Sequence, residues 1–120
     1  MQWSWVVDPL GPIGPRSRLG VDVLREAFRR SGRRPKQGYS SHSSGCACGI
    51  HALCYAKGID PRGLDDEGFA DALHLRRRYV TGFIDGWDGR DFEPDMPRGG
   101  YREGFEDGHA AWAALGAGAA

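Results

Sequence analysis

Apolar residues recur along this chain at two different periods. In the first seven residues Trp3, Trp5 and Val7 alternate with Gln2, Ser4 and Val6, and Pro9, Pro12 and Pro15 follow. Period two with prolines behind it predicts an extended arm over residues 1–20, whose tryptophans either cap the protein's own core or anchor a partner. From Val21 the spacing changes to three and four. Val21, Leu24, Ala27 and Phe28 form one helical stripe, Arg29 and Arg30 load the last turn, and Ser31-Gly32 supplies a stop. Ile50, Leu53 and Cys54 suggest a short helix ending at Gly58. Asp65 and Asp66 are good first residues for the longest helix, which Phe69, Leu73, Val80, Phe83, Ile84 and Trp87 carry over residues 65–87. After a loop with Pro94 and Pro97, a last helix carries Tyr101, Phe105, Trp112 and Leu115. The predicted fold class is mainly α: a small single domain of three to four helices, with a glycine-rich helical hairpin over residues 77–115 and the N-terminal arm as the only period-two segment.

Composition narrows this picture. A chain of 120 residues has the size of one domain, and its 40% apolar content is diluted by 19 glycines, so stability is expected from close backbone packing or a staple more than from a thick core. No stretch approaches the ~20 apolar residues that span a bilayer. Residues 1–15 carry prolines where a signal peptide would place a basic run and an apolar helix, so the expectation is a cytoplasmic protein. The zero net charge conceals a gradient. Residues 1–40 hold eight Arg or Lys against three acids, residues 41–80 five of each, and residues 81–120 three against eight. Either the two ends pair with each other, or the chain offers a basic face to nucleic acid or an acidic face to a basic groove.

The strongest internal signal is a repeat. Tyr79-Val-Thr-Gly82-Phe83-Ile-Asp85-Gly86 recurs as Tyr101-Arg-Glu-Gly104-Phe105-Glu-Asp107-Gly108, five of eight positions identical at an offset of 22. An interior glycine costs a helix about 1 kcal/mol, so four of them imply a close approach that side chains would block. Spacing by four puts each pair on one face, which predicts two helices packed backbone to backbone as a tight antiparallel hairpin, with Tyr79, Phe83, Tyr101 and Phe105 wedged alongside. The alternative is that the glycines break the helices into turns. Asp85 and Asp107 are equivalent; they read either as solvated acids or as a carboxylate pair for metal or acid/base work.

The run Gly82-Phe83-x-x-Gly86-x-x-Gly89-Arg90, a proline-containing loop, and Gly100-Tyr101-x-x-Gly104-Phe105 resembles ribosome modulation factor. That family is a small bacterial protein of two helices joined by a loop, which binds the ribosome and favours its inactive state. The resemblance covers about residues 77–112 and implies the paired-helix geometry. The family is strongly basic, whereas this segment is the acidic third of the chain.

Two further groups carry candidate chemistry. His42, Cys46, Cys48, His51 and Cys54 offer five ligands within a short span, from which four would complete a closed structural zinc site. Otherwise the cysteines are small buried hydrophobes, and a thiol enzyme pairing a cysteine with His51 is a third reading. Arg25, Arg29, Arg30, Arg33, Arg34 and Lys36 are the concentrated basic patch, a solvated helix end or a phosphate contact.

The leading expectation is a non-enzymatic regulator or inhibitor that binds a large ribonucleoprotein, most plausibly the ribosome, with RNA contact and no membrane. The basic patch and Tyr79, Phe83, Asp85, Tyr101, Phe105 and Asp107 are its candidate partner-binding residues. The runner-up is an anti-CRISPR-like protein of a phage or mobile element, whose acidic third occupies the basic channel of a host nucleic-acid-handling complex. A thiol or metal-dependent enzyme comes third.

Overall fold

The computed structural model describes residues 10, 13–14, 17–38, 45–96 and 98–116. Residues 1–9 of the predicted arm, with Trp3 and Trp5, and residues 39–44 of the loop, with Tyr39 and His42, lie outside them. The protein is mainly helical. Its elements are α1 (Val21–Ser31), β1 (Arg34–Pro35), β2 (Cys46–Ala47), α2 (Gly49–Ala56), α3 (Asp66–Leu73), α4 (Arg77–Trp87), α5 (Tyr101–Ala111) and a π-helical turn, Trp112–Gly116. The two short strands pair in parallel, Arg34 opposite Cys46 and Pro35 opposite Ala47.

Helix α1 forms where its stripe predicts. Leu24, Ala27 and Phe28 are buried, Asp22 and Arg29-Arg30 complement the dipole at its two ends, and Gly32, at φ 68°, closes it by donating its N–H to the Phe28 carbonyl. The side chain of Cys48 caps α2, accepting from the His51 N–H at 3.5 Å.

The helix expected over residues 65–87 is two helices, so the described residues hold five α-helices where three or four were expected. The break is at His74, in the left-handed region at φ 59°, and a Leu75 N–H to Ala70 carbonyl bond of 3.0 Å seals the end of α3. Its cause is a register conflict. Continuing the α3 stripe three and four residues past Leu73 would bury Arg76 and Arg77 and expose Leu75. The turn buries Leu75 instead and restarts the helix with Arg77 and Arg78 exposed and Arg76 half-buried.

Helices α4 and α5 pack through their glycines. A Cβ added to Gly82 would overlap the Tyr101 carbonyl oxygen and lie 2.9 Å from the Phe105 nitrogen; one added to Gly86 would overlap the Phe105 carbonyl oxygen. Reciprocally, Gly104 abuts the Tyr79 carbonyl and Gly108 the Phe83 carbonyl. The close approach and the two glycine faces are as the repeat predicts, but the direction is reversed. Residue numbers rise together along the contact, so the helices are parallel, and residues 88–96 return alongside them. In place of an antiparallel hairpin, the two copies of the repeat are related by an approximate twofold axis along the pair, with equivalent glycines level with each other.

The core fills the space beside this pair. Tyr79, Phe83, Trp87 and Tyr101 are fully buried. Trp87 stacks on Phe28 at 5.9 Å and on Phe83 at 6.2 Å, and meets Trp112 edge-on at 5.2 Å. Its indole N–H donates to the Lys36 carbonyl at 2.8 Å, which ties β1 to α4.

Candidate nucleic-acid interface

The repeat supplies two matching polar relays. The Tyr79 hydroxyl donates to Asp107 at 2.6 Å, and the Tyr101 hydroxyl donates to Asp85 at 2.8 Å, each crossing from one helix to the other. Each hydroxyl also accepts a main-chain N–H, from Leu19 at 2.6 Å and from Glu93 at 3.1 Å. Each carboxylate in turn holds an arginine: Arg18 grips Asp107 through two bonds of 2.9 Å, and Arg90 reaches Asp85 at 3.2 Å. Burial, and then the neighbouring aspartate, pushes both tyrosine hydroxyls above their ordinary pKa, so they remain donors.

These relays revise the expected partner-binding set. Tyr79, Phe83 and Tyr101 are fully buried and present no side-chain surface to a partner. Phe105 is half-buried, edge-on to Phe92 at 5.2 Å. Asp85 and Asp107, each 18% exposed at the side chain, are neither simply solvated nor a carboxylate pair, because each is committed to the tyrosine of the opposite helix and to its own arginine.

The basic patch survives and widens. Arg25 pairs with Asp22, while Arg29 and Arg30 both grip Glu26 and push its carboxyl down to about 2. The Arg33 guanidinium lies 3.8 Å above the Tyr55 ring, and Arg34 and Lys36 are exposed. The fold then adds cations that are distant in sequence. A groove of about 420 Å³ carries Arg33, Tyr55 and Arg62, and a neighbouring cleft of about 540 Å³ carries Arg30, Lys57 and His74; the two meet at Ile59. Arg62 is held by a two-pronged pair with Asp60.

Comparison of the chain with models of protein families, with curated proteins and with solved structures finds no match. Its chemistry is therefore read from its own geometry.

Among the described residues, no three His, Cys, Asp or Glu side chains come together as a metal site, and His42 lies outside them. The three-residue spacing puts Cys48, His51 and Cys54 near one helix face: Cys54 lies in the core, while Cys48 and half-buried His51 line a cleft of about 580 Å³ with Asp65, Asp66 and Asp88. Cys54 is fully buried, Cys48 nearly so, and the His51 ring packs against Phe69 at 5.2 Å. Cys46, on β2 one residue before buried Ala47, is half-buried. Burial pushes the Cys48 thiol up to about 11 and the Cys54 thiol up to about 12, so neither is a ready nucleophile at neutral pH. Cys48 and Cys54 thus pack in the core.

One set of charged residues was missed. Arg76, Arg77 and Arg78 open α4, and Arg98 and Arg102 flank the start of α5. The sequence signal was visible as an arginine triplet, but nothing in it linked residues 76–78 to residues 98–102. Parallel packing does so, because it puts both helix N-termini at the same end.

Proposed function

We propose that this protein is a non-enzymatic regulator that docks on a large ribonucleoprotein assembly, the ribosome being the fitting case, and contacts its RNA. The observation that carries this reading is the basic and aromatic surface around Ile59, where Arg30, Arg33, Lys57, Arg62 and His74 come together with Tyr55 from separate parts of the chain. Cations near an aromatic ring suit phosphates and unpaired bases, and arginine on tyrosine is itself a stacking arrangement. The glycine-faced helix pair and its resemblance to ribosome modulation factor support the same reading. The raised thiols of Cys48 and Cys54 weigh against a thiol enzyme built on those two residues. The acids of the C-terminal third do less for a blocker of basic channels: Asp85 and Asp107 are taken by the relays, and Asp88 by the Gly38 N–H and Arg90.

Sedimentation of ribosomes with the purified protein tests this. Co-sedimentation is expected at low salt, with loss as salt rises because phosphate contacts release counterions. An Arg33→Glu, Arg34→Glu variant should remain in the supernatant. Wild-type protein that stays out of the ribosomal fraction at low salt would refute the ribosomal reading.

A further inference from the structure

The cleft of about 580 Å³ bounded by α2, α3 and α4 shares no lining residue with the surface around Ile59, and its charge is of the opposite sign. Asp65, Asp66 and Asp88 line it with one guanidinium, that of Arg90. Arg90 is itself divided, because it also reaches Asp85 at 3.2 Å. Much of the remaining lining is apolar: Leu64 and Phe69 come from the α3 side and Ile84 from α4.

Two of the acids are set apart by α4. The Thr81 hydroxyl donates to Asp66 at 2.7 Å, which places Asp66 beside the middle of that helix, and Asp88 caps its C-terminal end. Thr81, Ile84 and Asp88 follow at spacings of three and four, so they share one helix face. Seven residues of rise put the two ends of this face about 10 Å apart, with Ile84 between them.

Asp88 is the group that calls for a ligand. Its side chain is only 9% exposed. Oδ1 accepts the Gly38 N–H at 2.9 Å, whereas Oδ2 has the Arg90 guanidinium at 3.6 Å, beyond hydrogen-bond reach. Among the described residues no donor meets the Asp66 Oδ1 either. A carboxylate accepts at both oxygens, and one held out of water without its full set of donors is stabilised by a cation that supplies them.

We propose that this cleft binds a linear aliphatic diamine, with one ammonium on Asp88, the other on Asp66, and the methylene chain along Ile84, Phe69 and Leu64. An ammonium carries three donors and no acceptor, the complement of a carboxylate oxygen that lacks a donor. Extended putrescine holds its nitrogens about 6 Å apart, and a charge-assisted bond of about 2.8 Å at each end gives it a reach of about 12 Å, which spans the ~10 Å along the helix. A hydrated metal ion is the poorer fit, because no three His, Cys, Asp or Glu side chains among the described residues converge on one point and the apolar lining offers it nothing.

The test titrates putrescine into the full chain by calorimetry at low salt, with butylamine as the same carbon chain bearing one ammonium. Saturable one-to-one binding of putrescine is expected, and binding of butylamine about tenfold weaker for the loss of one charge-assisted contact. Asp66→Asn and Asp88→Asn keep the acceptors that Thr81 and the Gly38 N–H use; each should weaken putrescine about tenfold and erase its advantage over butylamine. Asp71→Asn, an exposed acid of α3 outside the cleft, is the control and should bind as the wild type does. Independently of any variant, the Ile84 and Leu64 methyl resonances of the wild type should shift saturably with putrescine. Equal affinity for the two amines, an equal loss in Asp71→Asn, or unmoved methyls overturns the site. Displacement of putrescine by magnesium at equal concentration, or tighter binding of a lysine-rich peptide at the same methyls, overturns the assignment to a diamine. RNA takes no part in these measurements, so their outcome is separate from that of ribosome sedimentation.

Discussion

Replacing Gly104 with alanine puts one methyl group into the narrowest part of the protein. The new Cβ would overlap the Tyr79 carbonyl oxygen and lie 2.9 Å from the Phe83 nitrogen, where ordinary contacts begin at 3.4 Å. Both neighbours are main-chain atoms of a helix, so neither can rotate away and the helices must separate. Forced overpacking costs about 1–3 kcal/mol, and a rigid neighbour puts this site at the upper end. Separation also stretches the two Tyr-to-Asp bonds that cross the pair, hydrogen bonds to charged groups being worth roughly 1.5–3 kcal/mol each when fully made. Against these stands a gain of about 1 kcal/mol in helix propensity. The expected net loss is about 3 kcal/mol, and a loss of this size lowers Tm by roughly 10–20 °C in a small domain. Thermal and urea unfolding measure it. The approximate twofold axis adds a sharper demand: Gly82→Ala should cost nearly the same. The double variant should cost less than the sum, since one separation relieves both clashes. Gly68→Ala on α3 is the control, because its nearest neighbour is the Leu64 side chain at 3.1 Å and that side chain can move. Alanine stabilising the protein by about 1 kcal/mol at both Gly82 and Gly104, the bare propensity gain, would show that the two backbones do not meet.

Two further outcomes follow from the buried polar groups. The folded-state pKa of the Cys48 and Cys54 thiols is raised, so the unfolded chain releases those protons first and stability falls as pH rises above about 9, by about 1.4 kcal/mol per pH unit and thiol; Cys54→Ala should roughly halve the slope measured by urea unfolding between pH 9 and 10, and a flat profile for the wild type would contradict the burial. Tyr79→Phe and Tyr101→Phe each remove one relay and should cost about 1–3 kcal/mol, with Tyr79 the larger because the Leu19 N–H holds its hydroxyl at 2.6 Å, against 3.1 Å from Glu93 to Tyr101; negligible loss at both would mean that the relays contribute nothing to holding the helices together.

Local features were legible in the sequence because their causes are local. The stripe of Leu24, Ala27 and Phe28 and the stop at Gly32 set α1, and the repeat of Gly82, Gly86, Gly104 and Gly108 announced two helix faces that must touch. Where a local pattern met a tertiary demand, it misled. Apolar spacing over residues 65–87 looked continuous until the burial of Leu75 and the exposure of Arg77 required a turn at His74.

The direction of the helix pair is the clearest case of what only tertiary structure decides. Glycines four apart define a face, and a face packs equally well onto a partner running either way; the choice depends on the connection. Here residues 88–96 run back along the pair, with Phe92 packed on Tyr101 at 5.3 Å and on Phe105, and the Glu93 N–H on the Tyr101 hydroxyl, so α5 starts beside the start of α4. That one choice joins each tyrosine to the aspartate of the other copy and gathers Arg76, Arg78 and Arg98 at a single end. The cysteines teach the same point, because spacing showed Cys48, His51 and Cys54 to be neighbours on a helix but not which way their face turns. Packing of α2 against α1 and Phe83 buries the two cysteines and leaves His51 at the wall of a cleft. By itself, then, the sequence determined which segments are helical and which faces must be close, since those depend on neighbours a few residues away. The direction of approach, and with it the set of charges that share a surface, was decided by contacts between segments far apart in the chain.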